Sequence, residues 1–409
     1  MILKRETIGD VLDVIENGIN CKQNKEGIGE KITRIETIAF QKINYEKTGF
    51  SKLTNVQKHK YKLIRNDILF SHINSPIHVG KTAIYNGEEA LYHGVNLLKL
   101  RVKKHIDAKY FNYFLNKLFT IGYWARNSKQ AVNQASVNQT DIKCIPISYP
   151  PLVEQQRIAA KLDKAFAEID KTIEAAKRID ENAQALFETA RNDVFISKDV
   201  MWKQNKLGNI CNFLNGFAFK STDAVDISNV QLLRMGNMYR NKLDLNRKPV
   251  FYPSQFSVDF SKYVILPGDI IMSLTGTVGK RDYGYAVRIG KMEKILLLNQ
   301  RIVKLYEIDE SQVNKDYFLF YLRSKDFLNV LYSTANGTRQ ANLSSETIKG
   351  LSIPICSINE QKKIVAKLSF LKEKTKYISD IQAKKIYNLK SLKSSMLINM
   401  FTIEKTNAA

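Results

Sequence analysis

Two nearly identical helix openings determine how this chain is organised: PLVEQQRIAAKL at Pro151–Leu162 and SINEQKKIVAKL at Ser357–Leu368. Six of the twelve positions carry the same residue, and the copies start 206 residues apart in a chain of 409. Solenoid repeats have periods of about 20–50 residues, so a repeat of almost half the chain is too long for a solenoid. The spacing instead predicts a duplicated unit that consists of a domain and a long helix.

Each opening is followed by apolar residues at steps of three and four, which is the pattern of one apolar helix face. The first segment contains no Gly or Pro after Pro151, and Pro150-Pro151 suits a helix start because proline lacks an N–H. The second segment has a heptad pattern with polar residues at Gln382, Lys385 and Asn399. The predicted contact positions are Ile158, Leu162, Ala165, Ile169, Ile173, Ala176, Ile179, Ala183, Leu186, Ala190 and Val194, and then Ile364, Leu368, Leu371, Thr375, Ile378, Gln382, Lys385, Leu389, Leu392, Met396 and Asn399.

The natural partner for each apolar stripe is the other one. A whole domain separates the two segments, so they are able to pair antiparallel within one chain, and an intermolecular coiled coil is the alternative. About 40 helical residues make a rod roughly 60 Å long. In both arrangements the helices act as a spacer.

The globular segments before the two helices also align with each other. Leu63–Ser71 matches Ile265–Ser273, with Asp67 on Asp269, and both aspartates are interpreted as turn-capping residues. Short β-branched runs separated by Gly, Asn and Asp predict strands, and amphipathic stretches at 108–121 and 315–331 predict helices. The fold class expected is α+β, as two similar globular domains and two long helices packed as an antiparallel coiled coil, with a pseudo-twofold repeat in one chain.

The loops between the aligned segments differ. Lys22–Lys31 and Lys220–Val230 share little, and so do His72–Val79 and Leu274–Val278. One framework that carries two unlike sets of loops indicates one task performed twice, on two different targets.

Charge indicates the class of partner. The chain carries 63 Lys and Arg against 40 Asp and Glu, a formal net charge of +23. Basic residues exceed acidic ones in both globular segments but not in the first helical segment, residues 151–197. This balance favours nucleic acid over a membrane surface, and a generally lysine-rich composition is the alternative explanation. No 18-residue apolar run and no signal peptide are present, so we expect a cytoplasmic protein and no membrane partner.

A search for catalytic motifs finds none. Gly80-Lys81-Thr82 lacks the upstream glycine of a phosphate-binding loop, and Gly279-Lys280 is followed by Arg281 in place of Ser or Thr. There is no G-x-S-x-G elbow, no spacing typical of metal ligands and no cluster of carboxylates for Mg²⁺. The expectation is therefore a binding protein.

Candidate DNA contacts are polar residues in corresponding loops of the two halves. Arg pairs with guanine edges and phosphates, and Gln or Asn pairs with adenine edges, so a mixture of these types suits groove readout. A solvated surface side chain is the alternative for each residue alone. The candidates are Arg34, Lys81, Gln130, Asn133 and Gln134 in the first half and Arg234, Asn237, Lys280, Arg281, Arg339, Gln340 and Asn342 in the second.

The arrangement resembles the specificity (S) subunit of type I restriction–modification systems. The resemblance covers essentially the whole chain and is most specific at the helix entry Pro150–Ile158 and at Gly268–Ser273 with Gly276–Lys280. The second entry departs from the pattern at Cys356–Ile358, and the first domain carries His72–Pro76 in place of the Thr-Gly-Thr loop. The domain boundaries that the resemblance implies are 1–150 and 199–356 for two target-recognition domains, with helical spacers at 151–198 and 357–409.

The resemblance implies a bipartite, asymmetric site on double-stranded DNA, with one half-site for each domain. It also implies two modification subunits that bind S-adenosylmethionine and methylate adenine, and restriction subunits that hydrolyse ATP with Mg²⁺. The chain itself would then hold no catalytic residue and no cofactor. The alternatives are a stand-alone DNA-binding or scaffold protein, an RNA-binding or tRNA-modifying accessory protein and, in last place, an enzyme that acts alone.

Overall fold

The computed structural model describes residues 3–132, 134–196, 202–335 and 340–401. The chain divides into two compact units: unit 1 is Met1–Lys177 with Ala383–Ala409, and unit 2 is Arg178–Gln382. Each unit therefore contains one globular part together with one half of each long helix.

Unit 1 begins with a globular part in which short strands alternate with short helices. Its strands are β1 (Lys4–Thr7), β2 (Leu12–Asn17), β3 (Glu30–Ile32), β4 (Gly49–Ser51), β5 (Ile68–Phe70), β6 (Ile73–Asn74), β7 (Thr82–Ile84), β8 (Leu98–Val102), β9 (Lys129–Ala131), β10 (Gln134–Ser136) and β11 (Pro146–Tyr149). Its helices are α1 (Ile8–Val11), α2 (Asn55–Tyr61), α3 (Ala108–Thr120), α4 (Tyr123–Asn127) and α5 (Gln139–Lys143), followed by the long α6 (Leu152–Ile196), which continues into unit 2.

The globular part of unit 2 has the same general order of elements. Its strands are β12 (Lys203–Lys206), β13 (Asn212–Asn215), β14 (Val230–Leu233), β15 (Phe251–Tyr252), β16 (Val264–Ile265), β17 (Ile270–Ser273), β18 (Thr275–Thr277), β19 (Ala286–Arg288), β20 (Ile295–Leu298), β21 (Ile302–Tyr306), β22 (Gln340–Asn342) and β23 (Ser352–Ile355). Its helices are α7 (Phe256–Asp259), α8 (Lys315–Leu322), α9 (Lys325–Ser333) and α10 (Ser345–Lys349), and the long α11 (Ile358–Met400) starts here. No helix in the described ranges is long and apolar enough to cross a membrane.

A four-stranded antiparallel sheet forms the centre of each unit. The strand order is β2-β8-β5-β7 in unit 1 and β13-β21-β17-β19 in unit 2. Three strands of each sheet, β5, β7 and β8 in unit 1 and β17, β19 and β21 in unit 2, coincide with the short apolar runs of the sequence. The matched segments Ile68–Phe70 and Ile270–Ser273 take the same place in both sheets. The predicted α+β duplication is therefore confirmed.

The first and last strands of each globular part pair with each other. β1 pairs antiparallel with β11, and β12 pairs antiparallel with β23. Beside each pair a glycine faces a lysine: a Cβ added to Gly9 would lie 3.2 Å from the Cβ of Lys143, and one added to Gly208 would lie 3.3 Å from the Cβ of Lys349. The aligned Gly and Lys positions thus mark one close contact that occurs in both units.

The repeated Glu-Gln at the helix openings contains a buried glutamine that binds the globular part to the long helix. Gln155 is fully buried. Its Oε1 accepts from the N–H of Asp107 at 2.9 Å, and its Nε2 donates to the carbonyl oxygens of Pro150 at 2.9 Å and His105 at 3.2 Å. Asp107 is the N-cap of α3. The amide therefore joins the start of α6 to the start of α3.

Gln361 makes the same set of contacts in unit 2. It is fully buried. Its Oε1 accepts from the N–H of Asn314 at 2.8 Å, and its Nε2 donates to the carbonyl oxygens of Gln312 and Cys356, both at 2.9 Å. Asn314 is the N-cap of α8. Both copies of the motif thus use one buried glutamine side chain to bond to three backbone groups.

The long helices run antiparallel within each unit. In unit 1 the ammonium of Lys393 lies 2.7 Å from Oδ1 of Asp170, and Ile169, Ile173 and Leu397 share one hydrophobic core. In unit 2 the Ser379 hydroxyl donates to Asp180, and the Thr375 hydroxyl lies 3.4 Å from the Ala183 carbonyl oxygen. Partner numbers fall on α11 as they rise on α6, which is the antiparallel arrangement that the sequence predicted.

The predicted contact stripes are wrong in detail. Ile179 and Leu186 on α6 are 45% and 66% exposed, and Lys385, Leu392 and Asn399 on α11 are exposed too. The core of unit 1 contacts the predicted Leu389 and Met396 of α11, together with Ile386, Leu397 and Met400, which are outside the predicted stripe. A straight α-helix drifts about 20° per heptad relative to a 3.5-residue repeat, so a strict heptad list loses the buried face along a long helix.

The amphipathic stretch at 315–331 forms two helices where the sequence predicted one. α8 ends at Leu322, and Ser324 caps α9 with a hydroxyl that accepts from the N–H of Phe327 at 3.3 Å. A serine that bonds to the backbone ahead of it favours a new helix start over continuation of the old one. The other predicted helix, α3, extends as a single element over Ala108–Thr120.

Asp67 and Asp269 close turns before the central strands, as predicted. The Asp67 carboxylate accepts from the N–H of Ile64 at 2.9 Å, and the Asp269 carboxylate accepts from the N–H of Leu266 at 2.8 Å. Asp67 is fully buried and also binds the Arg101 guanidinium through two bonds of 2.7 and 2.9 Å.

We expect Arg101→Ala to reduce the free energy of unfolding of unit 1 by about 1–2 kcal/mol, since a buried carboxylate would lose its charged partner. This value is below that of a fully buried pair because the Arg101 side chain is 31% exposed. Urea denaturation measures the change, and Arg65→Ala, an exposed arginine two residues before Asp67, is the matched control. Equal midpoints for the two variants would contradict the expectation.

Candidate nucleic-acid interface

A small antiparallel sheet in unit 1 brings together two loops that the sequence treats separately. β10 pairs with β6, which follows the central strand β5, and also with β9. Gln130 lies on β9 and Gln134 on β10, and both side chains are exposed. Gln130 donates to the Ala125 carbonyl oxygen at 3.3 Å. The predicted glutamine loop thus lies directly beside the loop after β5.

Unit 2 makes the corresponding pairing with fewer strands. β22 pairs antiparallel with β18, with Thr275 opposite Asn342 and Thr277 opposite Gln340. The Asn342 side chain is exposed. Of the other predicted residues, Asn133 and Arg339 lie outside the described residues, and Gln340 is described for its backbone alone.

Arg34 and Arg234 occupy the same position in the two units. Each is the residue before a 3₁₀ turn, at Ile35–Ile38 and Met235–Asn241. Arg34 lies 3.6 Å from the Glu36 carboxylate, and the Arg234 guanidinium donates to the carbonyl of Lys248. Both side chains are partly exposed, so each retains donors that face solvent.

Asn237 has a structural role in its loop. It is 2% exposed. Its Oδ1 accepts from the Arg234 N–H at 3.0 Å, and its Nδ2 donates to the carbonyl oxygens of Asp244 and Arg247, both at 2.9 Å. These bonds use the acceptor and both donor hydrogens of the amide within the loop. We therefore remove Asn237 from the proposed DNA contacts.

Lys81 also supports a loop. Its ammonium donates to the Ala39 carbonyl oxygen at 2.7 Å, and partial burial lowers the pKa of the amine. The side chain holds the end of the turn at Ile35–Ile38, so we remove Lys81 from the proposed phosphate contacts as well.

Lys280 and Arg281 lie in the turn after β18. Both are exposed, and Arg281 has a left-handed backbone with φ of 49°. The Arg281 guanidinium carbon lies 5.3 Å from the centre of the Tyr332 ring. Burial raises the pKa of Tyr332 to about 12, so the ring stays neutral and supports the arginine through a cation–π contact. These two cations remain candidates for phosphate or base contacts.

A cluster that the sequence analysis missed surrounds Tyr239, whose side chain is 46% exposed. The guanidinium carbons of Arg240 and Arg247 lie 5.3 and 5.5 Å from its ring centre, and its ring meets that of Tyr285 edge to face at 5.6 Å. The signal available in the sequence was the run Met238–Lys242, in which an aromatic residue and two cations follow directly on the aligned Arg234–Asn237.

The site thus supplies hydrogen-bond donors, positive charge and exposed aromatic surface. Over the described parts of the chain, no group of three or more His, Cys, Asp and Glu side chains is arranged as a metal site. Exposed guanidinium and amide groups suit binding to phosphates and base edges.

Comparison with known proteins identifies the family. The model of the type I restriction modification DNA specificity domain matches this chain twice, over residues 4–178 and 199–386. The chain belongs to this family. The two matches also coincide with the duplication that the repeated helix openings indicate.

Individual members of the specificity family agree with the match. The chain is 32% identical over 409 residues to a protein named as the type I restriction enzyme MjaX specificity subunit of Methanocaldococcus jannaschii, covering 93% of this chain and 90% of that one. A chain from a structure on complex assembly and conformational transition of the type I R-M system has a TM-score of 0.70 at 15% identity, covering 98% and 97%. The HsdS subunit of Thermoanaerobacter tengcongensis has a TM-score of 0.52 at 17% identity, covering 98% and 96%. The two structures share the fold.

Proposed function

We propose that this chain is the DNA-recognition subunit of a type I restriction–modification complex and that each unit reads one half of a bipartite, asymmetric site. The observation that carries the proposal is the presence, in a member of the specificity family, of two units with one framework and unlike loops. Equal frameworks predict the same mode of binding, and unlike loops predict different bases.

The charge and the loop geometry support duplex DNA as the ligand. The net charge is +23. Exposed Gln130 and Gln134 in unit 1, and exposed Lys280 and Arg281 in unit 2, lie beside corresponding small sheets. Cations neutralise phosphates independently of sequence, whereas amides and guanidinium groups distinguish base edges in the major groove.

We further propose that the chain itself is non-catalytic and that the chemistry takes place on partner subunits. These are two modification subunits, which bind S-adenosylmethionine, and restriction subunits, which use ATP and Mg²⁺. The duplicated framework supports two like partners, because two copies of one framework offer two similar surfaces. Chromosomal DNA as the ligand agrees with the predicted cytoplasmic location.

The long helices are the proposed docking surface for the modification subunits. α11 carries exposed aromatic residues in both units, with Phe370 58% and Tyr377 64% exposed in unit 2 and Tyr387 73% exposed in unit 1. Aromatic residues are enriched in the centres of protein–protein interfaces. A stand-alone DNA-binding protein without enzyme partners, one of the alternatives, would require no such surface on its helices.

Methylome sequencing tests the proposal. A host that expresses this chain with its neighbouring methyltransferase should carry a bipartite methyladenine motif, and this motif should disappear in a matched host that lacks only this chain. A third host, which expresses the chain without the methyltransferase, serves as a control and should show no such motif. An identical methylation pattern with and without the chain, while the methyltransferase is active, would contradict the proposal and favour the scaffold alternative.

A further inference from the structure

The loop after Arg34 and the loop after Arg234 are built on the same backbone frame, with an offset of 200 residues. The Arg34 N–H donates to the Thr37 side chain at 2.9 Å, as the Arg234 N–H does to Asn237 at 3.0 Å. Each loop then closes with one bond of the same kind, from the N–H of Asn44 to the Thr37 carbonyl at 2.9 Å and from the N–H of Asp244 to the Asn237 carbonyl at 2.8 Å.

The two loops also turn at the same position. Gln41 and Asn241 both have left-handed backbones, with φ of 56° and 61°. Both are held to their own unit: Gln41 donates to Oδ1 of Asn116 at 2.7 Å, and Oδ1 of Asn241 accepts from the N–H of Ala286 at 2.9 Å. The residue just before each anchored turn, Phe40 or Arg240, forms the tip of its loop.

The tip residues are displayed to solvent and are chemically unlike. Phe40 is 84% exposed, the most exposed Phe of the described residues. Arg240 is exposed as well, and its guanidinium is oriented by the Tyr239 ring, which Arg247 approaches as a second cation. Phe40 therefore presents apolar surface, and Arg240 a charged donor, at the same position of the shared frame.

The backbone of Arg240 lies in a strained conformation. Its φ of 53° lies in the left-handed region, and Lys248 at the end of the loop has a φ of 47°. Such a conformation costs free energy in residues other than glycine, and it is concentrated at functional sites where the surrounding structure holds it in place. Here the Asn241 anchor and the Tyr239 ring hold the tip.

The two loops also differ in charge, as their tip residues do. Residues 234–248 contain five basic side chains and one acidic one, and residues 34–48 contain three basic and two acidic. The tip in unit 2 is therefore suited to the electronegative acceptors of a base pair, and the tip in unit 1 to an apolar group.

We propose that Arg240 and Phe40 are specificity-determining residues, one for each half-site. Arg240 donates to the acceptors on a guanine edge in the major groove, N7 and O6, and Phe40 makes apolar contact with a thymine methyl group. The inference rests on the proposed function, because it assigns residues to the two half-sites. It differs from a general electrostatic role, in which any cation of the loop would serve equally.

The experiment uses the complex of the full chain with its methyltransferase subunits, purified with each variant. Competition binding compares the cognate duplex, taken from the wild-type methylome, with duplexes in which each base pair of the motif is substituted singly. Arg240→Ala should lose on the order of 10-fold or more of the discrimination at one base pair of one half-site. Arg240→Lys keeps the charge and should lose most of this discrimination too, because lysine lacks the planar fork.

Lys242→Ala is the matched control in unit 2, since it removes the same charge from an exposed residue two positions away. It should leave every discrimination ratio unchanged. Phe40→Ala should lower discrimination at one base pair of the other half-site, and Val56→Ala, which alters a 78% exposed apolar residue of unit 1, should not.

Each result bears on the assignment. If all ratios stay at the wild-type value in Arg240→Ala and Phe40→Ala, the tip residues do not determine specificity. The same conclusion follows if Lys242→Ala abolishes the same ratio as Arg240→Ala. In both cases the wild-type complex still discriminates, so the proposed function stands. A wild-type complex that fails to discriminate any substituted duplex would instead overturn the proposed function together with the tip assignment.

Discussion

Replacing Gln155 with Ala is expected to reduce the free energy of unfolding of unit 1 by about 2–4 kcal/mol. The side chain is fully buried and satisfies the N–H of Asp107 and the carbonyls of His105 and Pro150. Alanine would leave these three backbone groups without the amide, and an unsatisfied buried polar group costs about 1–3 kcal/mol. The expected total is smaller than three separate penalties because the carbonyl oxygens have other lone pairs available.

Tryptophan fluorescence during urea denaturation measures this effect. The chain has two tryptophans, Trp124 in the core of unit 1 and Trp202 in unit 2. In a Trp202→Phe background the signal therefore reports on unit 1 alone. Gln156→Ala is the control, since it removes the same residue type from the next position, which is exposed. It should change stability by less than about 0.5 kcal/mol, and equal midpoints for the two variants would refute the role of Gln155.

The same substitution at Gln361 tests whether the glutamine has this structural role in both units or in unit 1 alone. Gln361 bonds to the N-cap of α8 just as Gln155 bonds to the N-cap of α3. We expect Gln361→Ala to increase hydrogen exchange in the first turn of α8, with the exposed Lys362→Ala as its control. Unchanged exchange in α8 would limit the effect to unit 1.

The sequence was sufficient to identify the repeat, but it did not reveal the structural role of the repeated glutamine, Gln155 and Gln361. Glu-Gln at a helix start resembles ordinary polar surface, because glutamine is mostly exposed in proteins. Its burial depends on the segments at His105–Asp107 and Gln312–Asn314, which arrive from some 50 residues earlier in the chain. Such tertiary contacts leave no periodic signal in the helix itself.

The long helices show a second limit of prediction from sequence. Their existence could be predicted from periodicity, and their antiparallel pairing from the domain that separates them in the sequence. The contact face could not be extrapolated along α11, where Leu392 is 49% exposed and Leu397 is buried in the core of unit 1. The packing partner changes along the helix, and one repeat rule cannot describe both environments.

Comparing the halves selected polar loop residues, and two of them, Lys81 and Asn237, form hydrogen bonds with the backbone of their own unit. Residues such as Asn237 align between the halves because they maintain the backbone frame, and hydrogen bonds within the loop use up their polar atoms. The proposed readout side chains, Phe40 and Arg240, are free of that constraint; they differ between the halves and gave no alignment signal. In a duplicated binding protein, the positions that fail to align inside an aligned loop are the better candidates for contacts with the target.

Lengthening both long helices by one heptad is expected to change the spacing of the DNA motif and to leave its half-sites unchanged. The insertions belong after Lys177 in α6 and after Gln382 in α11, where the units divide. Seven residues add about 10 Å of helix, and B-DNA rises about 3.4 Å per base pair, so the spacer should grow by roughly three base pairs. A whole heptad keeps the side chains close to their original facing, because the drift per heptad is only about 20°.

Methylome sequencing of the double-insertion variant measures the spacer directly. Occupancy should fall even where the motif persists, since three base pairs also rotate one half-site by about a third of a turn of DNA. Inserting the heptad into α6 alone is the control: it shifts the two helices out of register, for example at Asp170 and Lys393 or at Asp180 and Ser379, and should abolish methylation. A double-insertion variant that methylates the wild-type motif with its original spacer would show that the helices do not set the separation. The half-sites depend on the loops of each unit and the spacer on the helices, so the two properties should change independently.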